Sequence, residues 1–304
     1  MPVLVQALVP VFTLIVMGYL FRRWNFPGDG FWLQAERFTY YVLFPPMLVF
    51  KLGQARIEPS AYGEIVSLVL GMVVAMTILL VIIQLLWRWP GDVYSSVFQG
   101  ALRFNSYVAL ASAGMLLGDE GLSLIAIVVA IKVPLINLLS ILMFSLLVGQ
   151  GPVRFRPVLK AIVTNPLIIG SVVGVFWSYF QIGFHPILAG ILAPLSELAL
   201  PLGLMTVGAG LQLKALRGAS TPFLVASTAK LLLFPLMTAG LAWGLGLEGL
   251  LVQVGILLTA LPTATSSYIL ARQLGGDAPL MAGIISGQTL LAMVTIPLML
   301  ALLW

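Results

Sequence analysis

The sequence predicts an all-α polytopic membrane protein of ten transmembrane helices, arranged as two inverted five-helix repeats. Three observations carry this. Hydrophobic residues make up 61% and charged residues 8% of the 304-residue chain, where soluble domains run near half and a quarter. A mean hydropathy of +1.10 leaves no room for a sizeable soluble domain. The apolar runs are about 20 residues long, the length a helix needs to cross roughly 30 Å of hydrocarbon, and the short alternating strands of a barrel do not occur. The third observation is an internal repeat. Leu117-Gly118-Asp119-Glu120-Gly121-Leu122 recurs as Leu274-Gly275-Gly276-Asp277-Ala278-Pro279, and each copy sits between two long apolar runs.

Turn residues divide the chain into spans. The first, 3–21, has no basic segment before it and no small-residue cleavage site after it, so it reads as a helix rather than a signal peptide. Pro27-Gly28-Asp29-Gly30 precedes the second, 34–52. The third, 61–87, ends at Pro90-Gly91-Asp92. Gly118-Asp119 separates the fourth, 93–117, from the fifth, 121–148. After Gly149-Gln150-Gly151-Pro152 come the sixth, 159–181, the seventh, 186–212, and the eighth, 221–243. Gly244-Leu245-Gly246 precedes the ninth, 249–272, and the tenth is 278–303. The third, fifth and seventh runs are long enough to tilt or to hold two short pieces.

Lys and Arg set the orientation. With the N-terminus outside, the cytoplasmic loops and their edges hold Arg22, Arg23, Arg37, Arg88, Arg154, Arg156, Lys160, Lys214, Arg217 and Arg272. Only Lys51 and Arg56 lie outside. This bias predicts both termini outside. Trp24, Trp32, Trp87, Trp89, Trp177, Trp243 and Trp304 all fall near span ends, where an aromatic belt forms. The net charge of +5 therefore reports topology rather than nucleic-acid binding. Arg154, Arg156 and Lys160 read the same way, with contact to anionic lipid the alternative. Cysteine is absent, which excludes disulfides, thiolate metal sites and a cysteine nucleophile.

Five spans on either side of Gly149 force the halves into opposite orientations, as in many secondary carriers. The first repeat is 1–149, the cytoplasmic connecting loop 150–158 and the second repeat 159–304. The offset that aligns the Leu-Gly segments also sets Asn105-Ser106 opposite Pro262-Thr263. Pro262 frees the carbonyl four residues back, and hydrocarbon offers no water to satisfy it, so the broken backbone must line a cavity or be covered by protein. Thr263, Thr265, Ser266 and Ser267 add hydroxyls there. Half-helix N-termini meeting at the midplane would favour a carboxylate. Pro45, Pro46, Pro194 and Pro201 read as ordinary kinks. Gln288 reads equally as an interhelical hydrogen bond or a ligand contact, and His185 as incidental.

Few charges remain inside the spans: Arg103, Lys132, Lys230 and Glu197. Each sits roughly ten residues into its helix, on the order of 15 Å deep, at an insertion cost of roughly 2.5–3.5 kcal/mol. Glu197 reads either as a structural ion-pair partner of Lys230 or Lys132 or as a coupling group. Lys132 also reads as a packing residue whose ammonium is held by carbonyls. Arg103, two residues from Asn105, reads as functional. Three cations against one anion favour an anionic ligand.

The chain resembles bacterial members of the auxin efflux carrier family, which includes malonate and other organic-acid permeases. The similarity rests on Ala260-Leu261-Pro262-Thr263-Ala264, continuing to Tyr268-Ile269-Leu270-Ala271-Arg272-Gln273 and Gly275-Gly276-Asp277. Phe104-Asn105-Ser106-Tyr107-Val108, Asn165-Pro166-Leu167-Ile168-Ile169 and Gly208-Ala209-Gly210-Leu211 support it. The resemblance implies a fold similar to the sodium–bile acid symporters, with interrupted helices four and nine that cross. Helices one, two, six and seven would form a scaffold, as a homodimer, and helices 3–5 and 8–10 a transport domain moving by an elevator-type step. Two family prolines are missing: Ser112 stands in the fourth helix and Ser267 in the ninth, so the first break rests on Asn105 with nearby Gly100 and Gly114.

The expectation is a secondary carrier of a small mono- or dicarboxylate in the bacterial inner membrane. The substrate-binding candidates are Arg103, Asn105, Ser106, Tyr107, Pro262, Thr263, Thr265, Ser266 and Gln288. The charge or coupling candidates are Lys132, Glu197 and Lys230. No cofactor or metal is expected, and the coupling ion is H+ or Na+. A sodium-coupled symporter of another organic solute and a non-transporting sensor are the alternatives. An intramembrane enzyme lacks paired acids, a metal cluster or a nucleophile–base pair, and no nucleotide-binding loop is present.

Overall fold

A computed structural model describes residues 2–55, 61–148, 163–218 and 220–304. Among these residues every regular element is helical. α1 is Pro2–Arg23, α2 Asp29–Phe38, α3 Phe44–Gln54, α4 Ala61–Trp87, α5 Gly91–Leu102 and α6 Ser106–Val148. α7 is Pro166–Tyr179, α8 Pro186–Ala209, α9 Thr221–Thr228, α10 Phe234–Gly244, α11 Leu250–Ala260, α12 Ser266–Leu274 and α13 Ala278–Leu303. Among the described residues, six stretches are long and apolar enough to cross a membrane; one of them, Gly91–Val148, is 58 residues long and holds more than one crossing. The chain is a multi-pass membrane protein. Arg56, Arg154, Arg156 and Lys160 lie outside the described residues.

Two junctions are π-helical rather than broken. Thr39–Leu43 links α2 to α3, and Ala229–Leu233 links α9 to α10. In each case the next residues are Phe-Pro, Phe44-Pro45 and Phe234-Pro235. A proline has no N–H for the carbonyl four residues back and collides with it, so the ladder widens by one residue while the helix continues. The true interruptions are non-helical segments at 103–105 and 261–265, between α5 and α6 and between α11 and α12. The first has no proline, and the helix runs on unbroken through Ser112. At Gly118 (φ 66°, ψ −161°) the chain turns between 106–117 and 119–148, a conformation open to glycine at low cost.

Several sequence expectations shift. The second span begins at Asp29 rather than 34, the seventh ends at Ala209 rather than 212, and a 3₁₀ turn, Leu213–Gly218, follows it. Trp32 is buried in the protein rather than turned outward, and it donates Nε1–H to the carbonyl of Phe26 at 3.1 Å.

The most extensive helix contacts are α1 with α8 and α3 with α7. In the first pair the backbones nearly touch. A Cβ on Gly18 would stand 1.9 Å from the Met205 carbonyl oxygen, and one on Gly208 would stand 1.8 Å from that of Ile15. Membrane helices use such glycines because close approach maximises dispersion where lipid supplies no hydrophobic drive. The remaining helices pack around α5, α6, α11 and α13, in a core continuous with these pairs, and both breaks lie among them.

Candidate functional site

The two breaks touch. Asn105 N–H donates to the Pro262 carbonyl at 2.9 Å, and the Thr263 hydroxyl lies 3.4 Å from the Gln99 carbonyl. Gln99 Nε2 donates to the Ser267 carbonyl at 3.2 Å. Each break therefore supplies partners for backbone groups that the other leaves open, as an apolar interior requires.

Gln288 fastens the crossing from α13. Its Oε1 accepts the Thr263 N–H at 2.9 Å, and its Nε2 donates to the carbonyls of Gly100 and Ala226 at 3.1 and 3.3 Å. Gln288, Thr263 and Pro262 are buried behind the crossing and do not reach the cavity beside it. The structure thus corrects their expected role as ligand contacts: their polar groups are consumed by the backbone.

That cavity has a volume of about 470 Å³. Arg103, Asn105, Ser106, Tyr107, Thr265 and Ser266 line it, so six of the nine expected binding residues converge. Three helix N-termini open onto it. Asn105 caps α6, its Oδ1 accepting the N–H groups of Tyr107 and Val108 at 3.0 and 3.3 Å. Asn165 caps α7 in the same way through Leu167 and Ile168, at 2.9 and 3.4 Å. Thr265 and Ser266 begin α12. Helix N-termini carry partial positive charge, which suits an anion.

Two cations line the wall, Arg37 and Arg103, and Arg103 is the one held at the break. Nη1 donates to Asn137 Oδ1 at 2.7 Å and Nη2 to Ser266 Oγ at 3.0 Å. Both acceptors are neutral, so nothing bonded to the guanidinium offsets its charge. Tyr40, Tyr41, Phe44, Phe104 and Tyr107 supply apolar surface, and the Tyr40 hydroxyl lies 3.3 Å from Asn165 Oδ1.

Sequence reasoning missed Glu36, Asn137 and Asn165 as site residues. Placing the start of the second span at 34 put Glu36 at its edge. In the structure it is half-buried at the cavity, its Oε1 3.4 Å from the Thr265 hydroxyl. Asn165 was visible as an Asn-Pro pair, a helix-start signal, without any sign that this start meets the other two.

The charge candidates divide. Glu197 sits on an exposed face of α8 and forms no ion pair with Lys132 or Lys230, which corrects that expectation. Both lysines are fully buried, and neither Nζ has a hydrogen-bond partner, carbonyl or otherwise. Aromatic rings surround them instead. Lys132 Nζ lies 5.0 Å from the Phe104 ring centre and 4.6 Å from that of Phe234, and Lys230 Nζ lies 4.9 Å from the Phe234 centre.

Membrane-length helices, and paired helix breaks that meet beside a cavity, agree with a membrane transport protein. Residues 153–300 match the model of the family described as membrane transport protein, the auxin efflux carrier family that the motifs had indicated. The chain is 24% identical over 298 residues, 96% of either chain, to an "uncharacterized transporter" of Methanothermobacter thermautotrophicus. It is 25% identical over 300 residues, 95% of this chain and 92% of the relative, to a "putative malonate transporter" of Rhizobium meliloti.

Proposed function

We propose that this protein is a secondary carrier of small organic carboxylates, bound where the two interrupted helices cross. The observation that carries the reading is the convergence on one cavity of three helix N-termini and Arg103, whose bonded acceptors are both neutral. A carboxylate there would take charge-assisted hydrogen bonds from donors already oriented by the fold. The aromatic wall suits the apolar body of a monocarboxylate, and the relative named for malonate supports dicarboxylates among the substrates.

In this reading the chain is the two inverted repeats expected from sequence, 1–149 and 159–304, with crossing fourth and ninth helices. The packing supports it. α1 with α8 and α3 with α7 exchange under an operation that swaps first with sixth and second with seventh spans. These helices form the scaffold, and the rest move as the transport domain. The proposed topology has both termini outside, and it agrees with which helix ends meet. Lys51 and Asp119, both assigned outside, form an ion pair at 2.7 Å. Asp277 and Asp92, both assigned to the cytoplasm, are joined by a backbone hydrogen bond at 3.2 Å.

The test is counterflow in liposomes holding the purified protein, with labelled malonate and a labelled aromatic monocarboxylate measured separately. At least one is exchanged by the wild type. Arg103→Gln lowers affinity for it by about 10- to 100-fold, the loss expected from removing one charged hydrogen-bond donor. If a broad screen of organic anions gives neither binding nor exchange, the reading is wrong.

A further inference from the structure

Lys132 and Lys230 are the strongest unexplained feature of the molecule. Both are fully buried, both lack any hydrogen-bond partner, and both stand against the ring of Phe234. A charged ammonium in such a place is held only by ring quadrupoles, and a second one beside it repels the first.

Among the described residues, no anion on the neighbouring elements relieves them. Of the helices packed against Lys230, α5 contributes Asp92, which is exposed, and Tyr94, whose buried hydroxyl has no partner; α9, α10, α11 and α13 contribute no ionisable group. Around the helix of Lys132, Glu64 and Glu197 are exposed, and Lys51 is tied to Asp119. Arg272 is exposed against Tyr268, and Arg103 turns to Asn137 and Ser266. The half-buried acids have other partners: Glu36 holds Thr265, and Asp277 caps α13.

We propose that Lys132 and Lys230 form the proton-carrying site of this transporter, sharing one exchangeable proton whose uptake is linked to anion occupancy of the adjacent cavity. The proposal rests on the carrier reading above. The proton comes from water, adds to the lone pair of a neutral amine as an N–H bond, and leaves by the reverse step on the other side of the membrane. Phe104 makes the link. Its ring lines the cavity and also faces Lys132 Nζ. An anion held by Arg103 and the helix N-termini therefore sits one ring from the ammonium and stabilises its charge. By linkage the proton strengthens anion binding in equal measure. A metal cation is disfavoured at this place by the same ammoniums that repel each other. Lys230 moreover lies in the π turn 229–233, a distortion that recurs at functional sites.

The experiment uses the purified chain in liposomes with internal pyranine, the voltage clamped to zero by valinomycin and equal potassium, and an acidic exterior. Wild type concentrates labelled malonate by about tenfold for one proton per pH unit of gradient, each factor of ten being worth one such unit, and pyranine reports acidification as it does so. Lys132→Met and Lys230→Met abolish both signals yet still exchange labelled for unlabelled malonate without a gradient. Where a methionine variant does not reconstitute as a monodisperse protein, Lys230→Gln is read in the same assay. If wild type exchanges malonate with no response to the pH gradient, or if the variants still concentrate it with the pyranine signal, the coupling proposal is overturned and the carrier reading stands. If wild type exchanges no anion of the screen, both fall.

Discussion

At the scale of single residues, the crossing depends on side chains that replace missing backbone partners. Gln288 satisfies an N–H and two carbonyls at once, all buried. A leucine there keeps the volume and removes the hydrogen bonds. Each buried polar group left unpaired costs about 1–3 kcal/mol, so Gln288→Leu should lower the thermal midpoint in detergent clearly and abolish counterflow. An unchanged midpoint would show that the breaks hold without it. Asn105 and Arg103 were legible in the sequence because an asparagine and an arginine stand out in an apolar run at a repeated position. Gln288 stayed ambiguous, because one amide in a helix looks the same whether it serves backbone or ligand. Glu36 and Asn137 could not be assigned to the site from their own segments, because their partners, Thr265 and Arg103, are far along the chain.

Among the elements, α1 and α8 leave little room between them. Gly208→Leu must push Ile15 and its helix away, because the added atoms overlap a backbone carbonyl that cannot turn aside. Overpacking of this kind costs about 1–3 kcal/mol or more. Gly240 has nothing within 4 Å of the added Cβ and is the control. Thermal unfolding should separate the two, with Gly208→Leu strongly destabilised and Gly240→Ala near wild type. Both contacts lie on lipid-length helices whose existence composition alone announces. The prolines were harder to read. Pro45 and Pro235 produce π turns and Pro262 a full break, although each is a proline in an apolar run. The outcome depends on whether a neighbour is placed to take the freed groups: Asn105, Gln99 and Gln288 stand ready around 262.

For the whole molecule, the absence of cysteine makes the proposed topology directly testable. Single cysteines at Asn25 and Lys214 should react with impermeant maleimide only from the cytoplasmic side. Those at Gly183 and Gly246 should react only from outside. Labelling of all four from one side would overturn the inverted arrangement. The sequence by itself determined that the chain is helical, membrane-spanning and interrupted near 105 and 262, because hydrophobic length and broken periodicity are local properties of a chain in lipid. Only the tertiary structure decided that the two interruptions bond to each other, that three helix starts share one cavity with Arg103, and that Lys132 and Lys230 meet at one ring while Glu197 faces away. The reason is physical: burial and pairing belong to packed neighbours, and no periodicity along one helix specifies which distant helix will supply them.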